Sequence, residues 1–138
     1  MYQIDPYGTR LVDYLHEFGV ANNQIYPSLP LCLGACEITV GEMASAYTAF
    51  VNKGIRCAPI LVTKIEDDQG NIVAEFTPRM SEVISEQTSY KMLDMMQAVI
   101  DQGTGRRLRS KYNIKGQIAG KTGTTNENSD GWLRGCVP

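Results

Sequence analysis

Ala119-Gly120-Lys121-Thr122-Gly123-Thr124-Thr125, the polar run Asn126-Glu127-Asn128-Ser129-Asp130-Gly131, and then Trp132-Leu133-Arg134-Gly135-Cys136-Val137 read as strand, turn, strand. The first segment is small and β-permissive, and turn formers separate it from the second. Alternation along an extended chain puts the hydroxyls of Thr122 and Thr124 on one face. Lys121 supplies a positive charge and three hydrogen-bond donors. Gly123 carries no side chain, so a ligand backbone can come close. A backbone amide just beyond it can donate to an oxyanion. Such an edge suits a peptide that ends in a carboxylate. A phosphate loop is excluded, because only three residues lie between Gly116 and Gly120 where that motif needs four, and Lys115 stands where it needs glycine. The polar run after Gly123 is also a poor helix start, and a phosphate site needs a helix there.

Working outward, three segments carry helical periodicity. Leu11, Tyr14, Leu15 and Phe18 form a stripe that stops at Gly19. Met43, Ala46, Tyr47, Phe50 and Val51 form a second, opened by the capping box Thr39-Val40-Gly41-Glu42 and closed by Lys53-Gly54. Met92, Met95, Met96, Val99 and Ile100 form a third, ending before Gly103-Thr104-Gly105. Each stripe is read as the buried face of a helix. Between the second and third, Ile60–Ile65 and Ile72–Phe76 flank Asp67-Asp68-Gln69-Gly70-Asn71, the pattern of a β-hairpin. The paired aspartates do not alternate as calcium ligands do, so they read as solvated turn residues. Arg106–Lys111 is a basic cluster, read as solvated loop or helix surface.

The chain has 138 residues, 13 Lys+Arg, 15 Asp+Glu and a net charge of -2. Its length suits one domain, and its faint acidity argues against nucleic-acid binding. No apolar run is long enough to span a membrane, and the start lacks the pattern of a signal peptide. Cys32, Cys36, Cys57 and Cys136 do not have zinc-ribbon spacing, and His16 lies well upstream of them. They read as small buried hydrophobes, with disulfide pairing left open. No metal or cofactor is implied.

Lys-Thr-Gly is one of three short motifs shared by penicillin-binding proteins and class A β-lactamases. With its surroundings, the strand pair resembles that of class A (bifunctional) penicillin-binding proteins. So do Leu33-Gly34, Glu42-Met43, Ala46-Tyr47, Phe50 and Asn52-Lys53-Gly54 upstream, and Val99 with Gly103-Thr104-Gly105 before the motif. The resemblance covers about Leu11 to Pro138. It implies an α+β fold, part of a β-lactamase/transpeptidase-like architecture: three helices, a peripheral hairpin and two sheet strands, helices packed on antiparallel sheet. It also implies acyl transfer. A serine attacks a D-Ala-D-Ala stem peptide of peptidoglycan, D-alanine leaves, and a neighbouring amine takes the acyl group. β-Lactams trap the acyl-enzyme. Lys121 would position the substrate carboxylate and support proton transfer, Thr122 and Thr124 would bind the carboxylate, and the Thr124 amide would be one oxyanion donor.

The chain departs from the family at the nucleophile. There is no Ser-x-x-Lys: Thr88-Ser89-Tyr90-Lys91 places threonine first and follows the hairpin. There is no Ser-x-Asn either. Both motifs are expected before residue 1, and a closing strand and helix after Pro138, so residues 1–138 are read as an incomplete transpeptidase domain. The chain alone is expected to be inactive and to associate with itself through an incomplete core. The whole protein is expected outside the cytoplasm, anchored to the membrane. Two alternatives are a non-catalytic module binding D-Ala-D-Ala peptides by strand addition, and a related serine β-lactamase or D,D-carboxypeptidase.

Overall fold

The structure, a computed structural model, describes residues 8–21, 25–124 and 131–137. Its elements are α1 (Thr9–Glu17), a 3-10 turn (Leu29–Leu33), α2 (Val40–Val51), β1 (Ile55–Cys57), β2 (Lys64–Glu66), β3 (Ile72–Glu75), β4 (Met80–Glu82), α3 (Glu86–Asp101), α4 (Arg107–Ser110), β5 (Ala119–Thr124) and β6 (Gly131–Cys136). The class is α+β, as the resemblance implies. Among the described residues the strands pair two by two and antiparallel: β1 with β4, β2 with β3, β5 with β6. The described chain falls into two compact units. One comprises Met1–Ala49 and Ile55–Val83, the other Phe50–Gly54 and Ile84–Pro138. Thr125 and the turn residues Asn126 to Asp130 lie outside the described residues.

In the first unit, α1 ends as its glycine requires. Gly19 has φ 91, its N–H donates to the His16 carbonyl, and Val20 N–H reaches back to the Leu15 carbonyl. This is the doubly bonded left-handed stop that glycine makes inexpensive. His16 Nδ1 donates to the Val20 carbonyl at 2.9 Å, which ties the last turn of α1 to the chain just after its stop. Val20, Ile25 and Leu31 form the core, with Leu11, Val12, Leu15, Cys36 and Ile38 against them. Tyr14, placed by periodicity on the buried stripe, is exposed, and Val12 packs in its stead.

The capping box forms in full. Glu42 N–H donates to Thr39 Oγ1 at 3.2 Å, and Thr39 N–H donates to Glu42 Oε2 at 2.9 Å. Glu42 Oε1 also accepts from Ala21 N–H at 2.8 Å, tying the segment after α1 to the start of α2. These bonds, the Thr39 hydroxyl first, hold the Glu42 carboxyl below its ordinary range. Polar residues turn inward on α2 as well. Ser45 Oγ donates to the Cys57 carbonyl at 2.9 Å, and Cys57 N–H donates to Thr48 Oγ1 at 2.8 Å, so two hydroxyls lock β1 to the helix. Val51, expected on the buried stripe, is exposed.

The hairpin is shorter than its apolar run. Pairing spans Lys64 opposite Glu75 to Glu66 opposite Ile72, and Leu61 is fully exposed. Phe76 N–H still reaches the Thr63 carbonyl, but the chain then runs on to β4, which pairs with β1, leaving residues 60–62 without a strand partner. Asp67 is more than a solvated turn residue. Its Oδ1 accepts from Gln69 and Asn71 amides at 2.9 and 2.8 Å, which shapes the turn.

In the second unit, Ser85 caps α3 by accepting from Thr88 N–H. The buried line is Ser89, Met96 and Ile100; Met95 faces solvent, at the rim of the predicted stripe. Ser89, 1% exposed, donates to the Phe50 carbonyl at 2.7 Å. Cys32 is exposed, and Cys36, Cys57 and Cys136 are half-buried. The buried-hydrophobe reading fails outright for Cys32, on the 3-10 turn, and holds in part for Cys36, which packs against the first unit's core.

Candidate functional site

The site is built on β5 and β6, in unbroken register from Ala119 opposite Cys136 to Thr124 opposite Gly131. Lys121 faces Arg134 across the ladder, and like charges in that relation repel. Each cation has found another partner. The Arg134 guanidinium lies 5.1 Å from the Trp132 ring centroid, and Lys121 Nζ donates to the Thr122 carbonyl at 2.6 Å. Lys121 is exposed, so its ammonium is open to a ligand.

Gly123 stands opposite Trp132. A Cβ built on Gly123 would meet only Trp132 Cβ, at 3.7 Å, so nothing in the described chain requires glycine there. Gly120 differs: its Cβ would come 2.7 Å from the Arg134 carbonyl oxygen. Thr124 ends β5, and its backbone alone is described.

Thr122 is half-buried and its hydroxyl meets the hydroxyl of Thr104. The Gly-Thr-Gly segment explains how Thr104 gets there. The Val99 carbonyl, in the last turn of α3, accepts from both Gly103 N–H at 3.1 Å and Gly105 N–H at 3.0 Å. The chain therefore winds tightly over the helix end. A Cβ on Gly103 would lie 2.9 Å from Val99 Cα, and one on Gly105 would lie 2.7 Å from Ile100 Cδ1. At Gly103 the backbone of Val99 leaves no room for a side chain, at Gly105 the Ile100 side chain would have to shift, and Thr104 stands between them.

The connection from α4 to β5 is also held. Arg109 Nε donates to Asp101 Oδ1 at 2.8 Å, while its Nη1 donates to the carbonyls of Ile114 and Gly116 at 2.7 and 2.6 Å. One residue of the basic cluster is thus a clasp. Neither Thr104 nor Arg109 is singled out by sequence reading, although the paired glycines around Thr104 mark a close approach.

Three other hydroxyl or thiol side chains of this unit are already engaged or held back. Thr88 is engaged with Ser85, which caps α3. Ser110 Oγ donates to the Arg106 carbonyl at 3.2 Å, within its own helix turn. The Cys136 thiol, opposite Ala119, is pushed up by burial, away from the reactive thiolate. The first unit's concavity of about 510 Å³, beside Ile25, Leu31 and Cys36, carries none of the motif residues. Among the described residues no group of three acidic, His or Cys side chains could hold a metal, and no helix is long and apolar enough to cross a membrane.

The penicillin binding protein transpeptidase domain matches residues 9–135. The chain belongs to this transpeptidase family. Penicillin-binding protein 1A of Aquifex aeolicus is 35% identical over 119 residues, which cover 86% of this chain and 16% of that protein. Penicillin-binding protein 1A of Neisseria flavescens is 35% identical over 130 residues, 91% of this chain and 16% of that one. The chain thus spans about a sixth of these relatives. The crystal structure of Penicillin-Binding Protein 1A from Haemophilus influenzae superposes with a TM-score of 0.77 at 26% identity, covering 89% of this chain and 24% of that one. As a penicillin-binding transpeptidase sequence, the chain keeps Lys-Thr-Gly on a strand of an antiparallel pair, beside the helix end that carries Thr104.

Proposed function

We propose that this chain supplies the Lys-Thr-Gly strand of a serine D,D-transpeptidase that cross-links peptidoglycan stem peptides and is acylated by β-lactams. The observation that carries this reading is an open strand presenting Lys121, Thr122 and Gly123 in series, with Lys121 exposed. In the reaction a serine oxygen bonds to the carbonyl carbon of the penultimate D-alanine, and the peptide C–N bond breaks. D-Alanine leaves with a proton on its nitrogen, and an amine of a second stem peptide then displaces the serine oxygen. Lys121 and Thr122 hold the terminal carboxylate against the strand. Gly123 admits the ligand backbone. The Thr124 amide donates to the oxyanion that forms at the attacked carbonyl. The serine belongs to a segment outside this chain, so the chain alone takes no acyl group. The whole protein works outside the cytoplasm from a membrane anchor. Exposed apolar side chains such as Leu29, Leu33 and Leu61 support self-association of the isolated chain.

The test exchanges the matching segment of the Haemophilus influenzae protein for residues 9–135 and labels the product with a fluorescent penicillin. The expected result is covalent label in the chimera, none with Lys121→Ala, and none on the chain alone. A chimera that melts cooperatively yet takes no label overturns the reading. Stoichiometric label on the isolated chain overturns the assignment of the nucleophile elsewhere.

A further inference from the structure

We infer that Thr104 is a positioning residue that orients the Thr122 hydroxyl toward the ligand carboxylate, an inference that rests on the function proposed above. A hydroxyl has one proton to give, whereas a carboxylate can only accept. If Thr122 is to donate to the ligand, its proton must point outward, and its oxygen is then free to accept. Thr104 is the group in contact with that oxygen. In the ligand-bound state the relay therefore runs in one direction: Thr104 donates to Thr122, and Thr122 donates to the carboxylate. Each donation polarises the next, so the second bond is strengthened by the first.

The backbone fixes the relay at its start. Thr104 stands between two glycines whose amides share the Val99 carbonyl, and Arg106 N–H and Leu108 N–H return to the carbonyls of Gly103 and Gly105 at 3.1 and 3.0 Å. Thr104 is thus held on both sides before any ligand arrives. Without its hydroxyl, Thr122 is free to turn its proton toward other acceptors, and the carboxylate loses an aimed donor.

The experiment titrates the isotope-labelled chain with N-acetyl-D-alanyl-D-alanine and with the same peptide as its C-terminal amide, following the backbone amides of Lys121, Thr122 and Gly123 by NMR. Thr104→Val is expected to weaken the carboxylate peptide about tenfold and to leave the amide peptide unchanged; Thr104→Ser restores binding. A merely structural role would move both peptides together. Equal affinity of wild type and Thr104→Val for the carboxylate peptide overturns the relay but leaves the proposed function standing. If wild type itself shows no carboxylate-dependent shifts at these amides, the relay is overturned, and the proposed function falls with it only if the chimera also takes no penicillin label. If Thr104→Val and Thr104→Ala both unfold, the hydroxyl serves the fold and the positioning role is overturned.

Discussion

Gly120 and Gly123 lie three residues apart on one strand, in opposite surroundings: the first is crowded and the second open. Neither has a positive φ, so alanine strains neither backbone. At Gly120 the added methyl would sit 2.7 Å from the Arg134 carbonyl oxygen, 3.3 Å from Gly135 Cα and 3.5 Å from Ile100 Cδ1. The offending atom is backbone in the partner strand and cannot rotate aside, so Gly120→Ala should cost about 1–3 kcal/mol as overpacking. At Gly123 the methyl meets one atom at ordinary contact distance, 3.7 Å. There the stiffer unfolded chain favours alanine by about 0.4–1 kcal/mol. The two variants should differ by about 1.4–4 kcal/mol in urea unfolding followed by fluorescence of Trp132, the chain's single tryptophan. The order reverses for ligand. Gly123→Ala puts its methyl on the Lys121 side of the strand and should weaken N-acetyl-D-alanyl-D-alanine more than tenfold in the NMR titration, an effect worth about 1.4 kcal/mol or more. Equal destabilisation by the two alanines would sink the steric reasoning, and unchanged affinity in Gly123→Ala would sink the role of that glycine in ligand approach.

Arg109→Ala removes three bonds from one guanidinium and should cost about 2 kcal/mol, with faster hydrogen exchange confined to residues 111–118; Arg109→Lys, lacking the fork, should stay near alanine, and unchanged exchange would refute the clasp. Ser89→Ala deletes the donor to the Phe50 carbonyl and should lower stability by about 1 kcal/mol in urea; a neutral result would mean that this bond contributes nothing net. The Glu42 carboxyl is held low in the folded chain, by the Thr39 hydroxyl first, then by the Thr39 and Ala21 amides. A lowered folded pKa means that its contribution is complete above the unfolded value of about 4.3 and fades as pH falls through the folded one. Between pH 6 and 3, Glu42→Gln should therefore show a shallower loss of stability than wild type, and parallel curves would exclude the linkage.

Local signals were legible and distant ones were not. Gly19, the Thr39–Glu42 box and the Lys-Thr-Gly strand announce themselves within a few residues, because a cap, a stop or an alternating strand is decided by near neighbours. The β1–β4 ladder joins three-residue strands separated by the whole hairpin, too short for any periodicity. Ser45 and Thr48 look like gaps in an apolar stripe; their hydroxyls are inward because they bond the backbone of β1. Ile60 to Val62 are apolar enough for a strand, yet a strand needs a partner and the sequence does not say who that is. The candidate site divides in the same way. Lys121, Thr122 and Gly123 follow from their order, whereas Thr104 and Arg109 act across folded distance.

The hydroxyl contact between Thr104 and Thr122 closes a loop of 18 residues. Doubling such a loop costs only about 0.6 kcal/mol of closure entropy, so length by itself is weakly policed. What polices it is Arg109, which measures the stretch from Ile114 to Gly116 by grasping a carbonyl at each end. Tyr112 and Asn113 are exposed and lie before that grip. A peptide or fluorophore grafted between them should leave the strand aligned, while a single residue added after Ile114 should throw it out of step. The loop thus offers a handle for engineering that ends at a sharp boundary, one arginine wide.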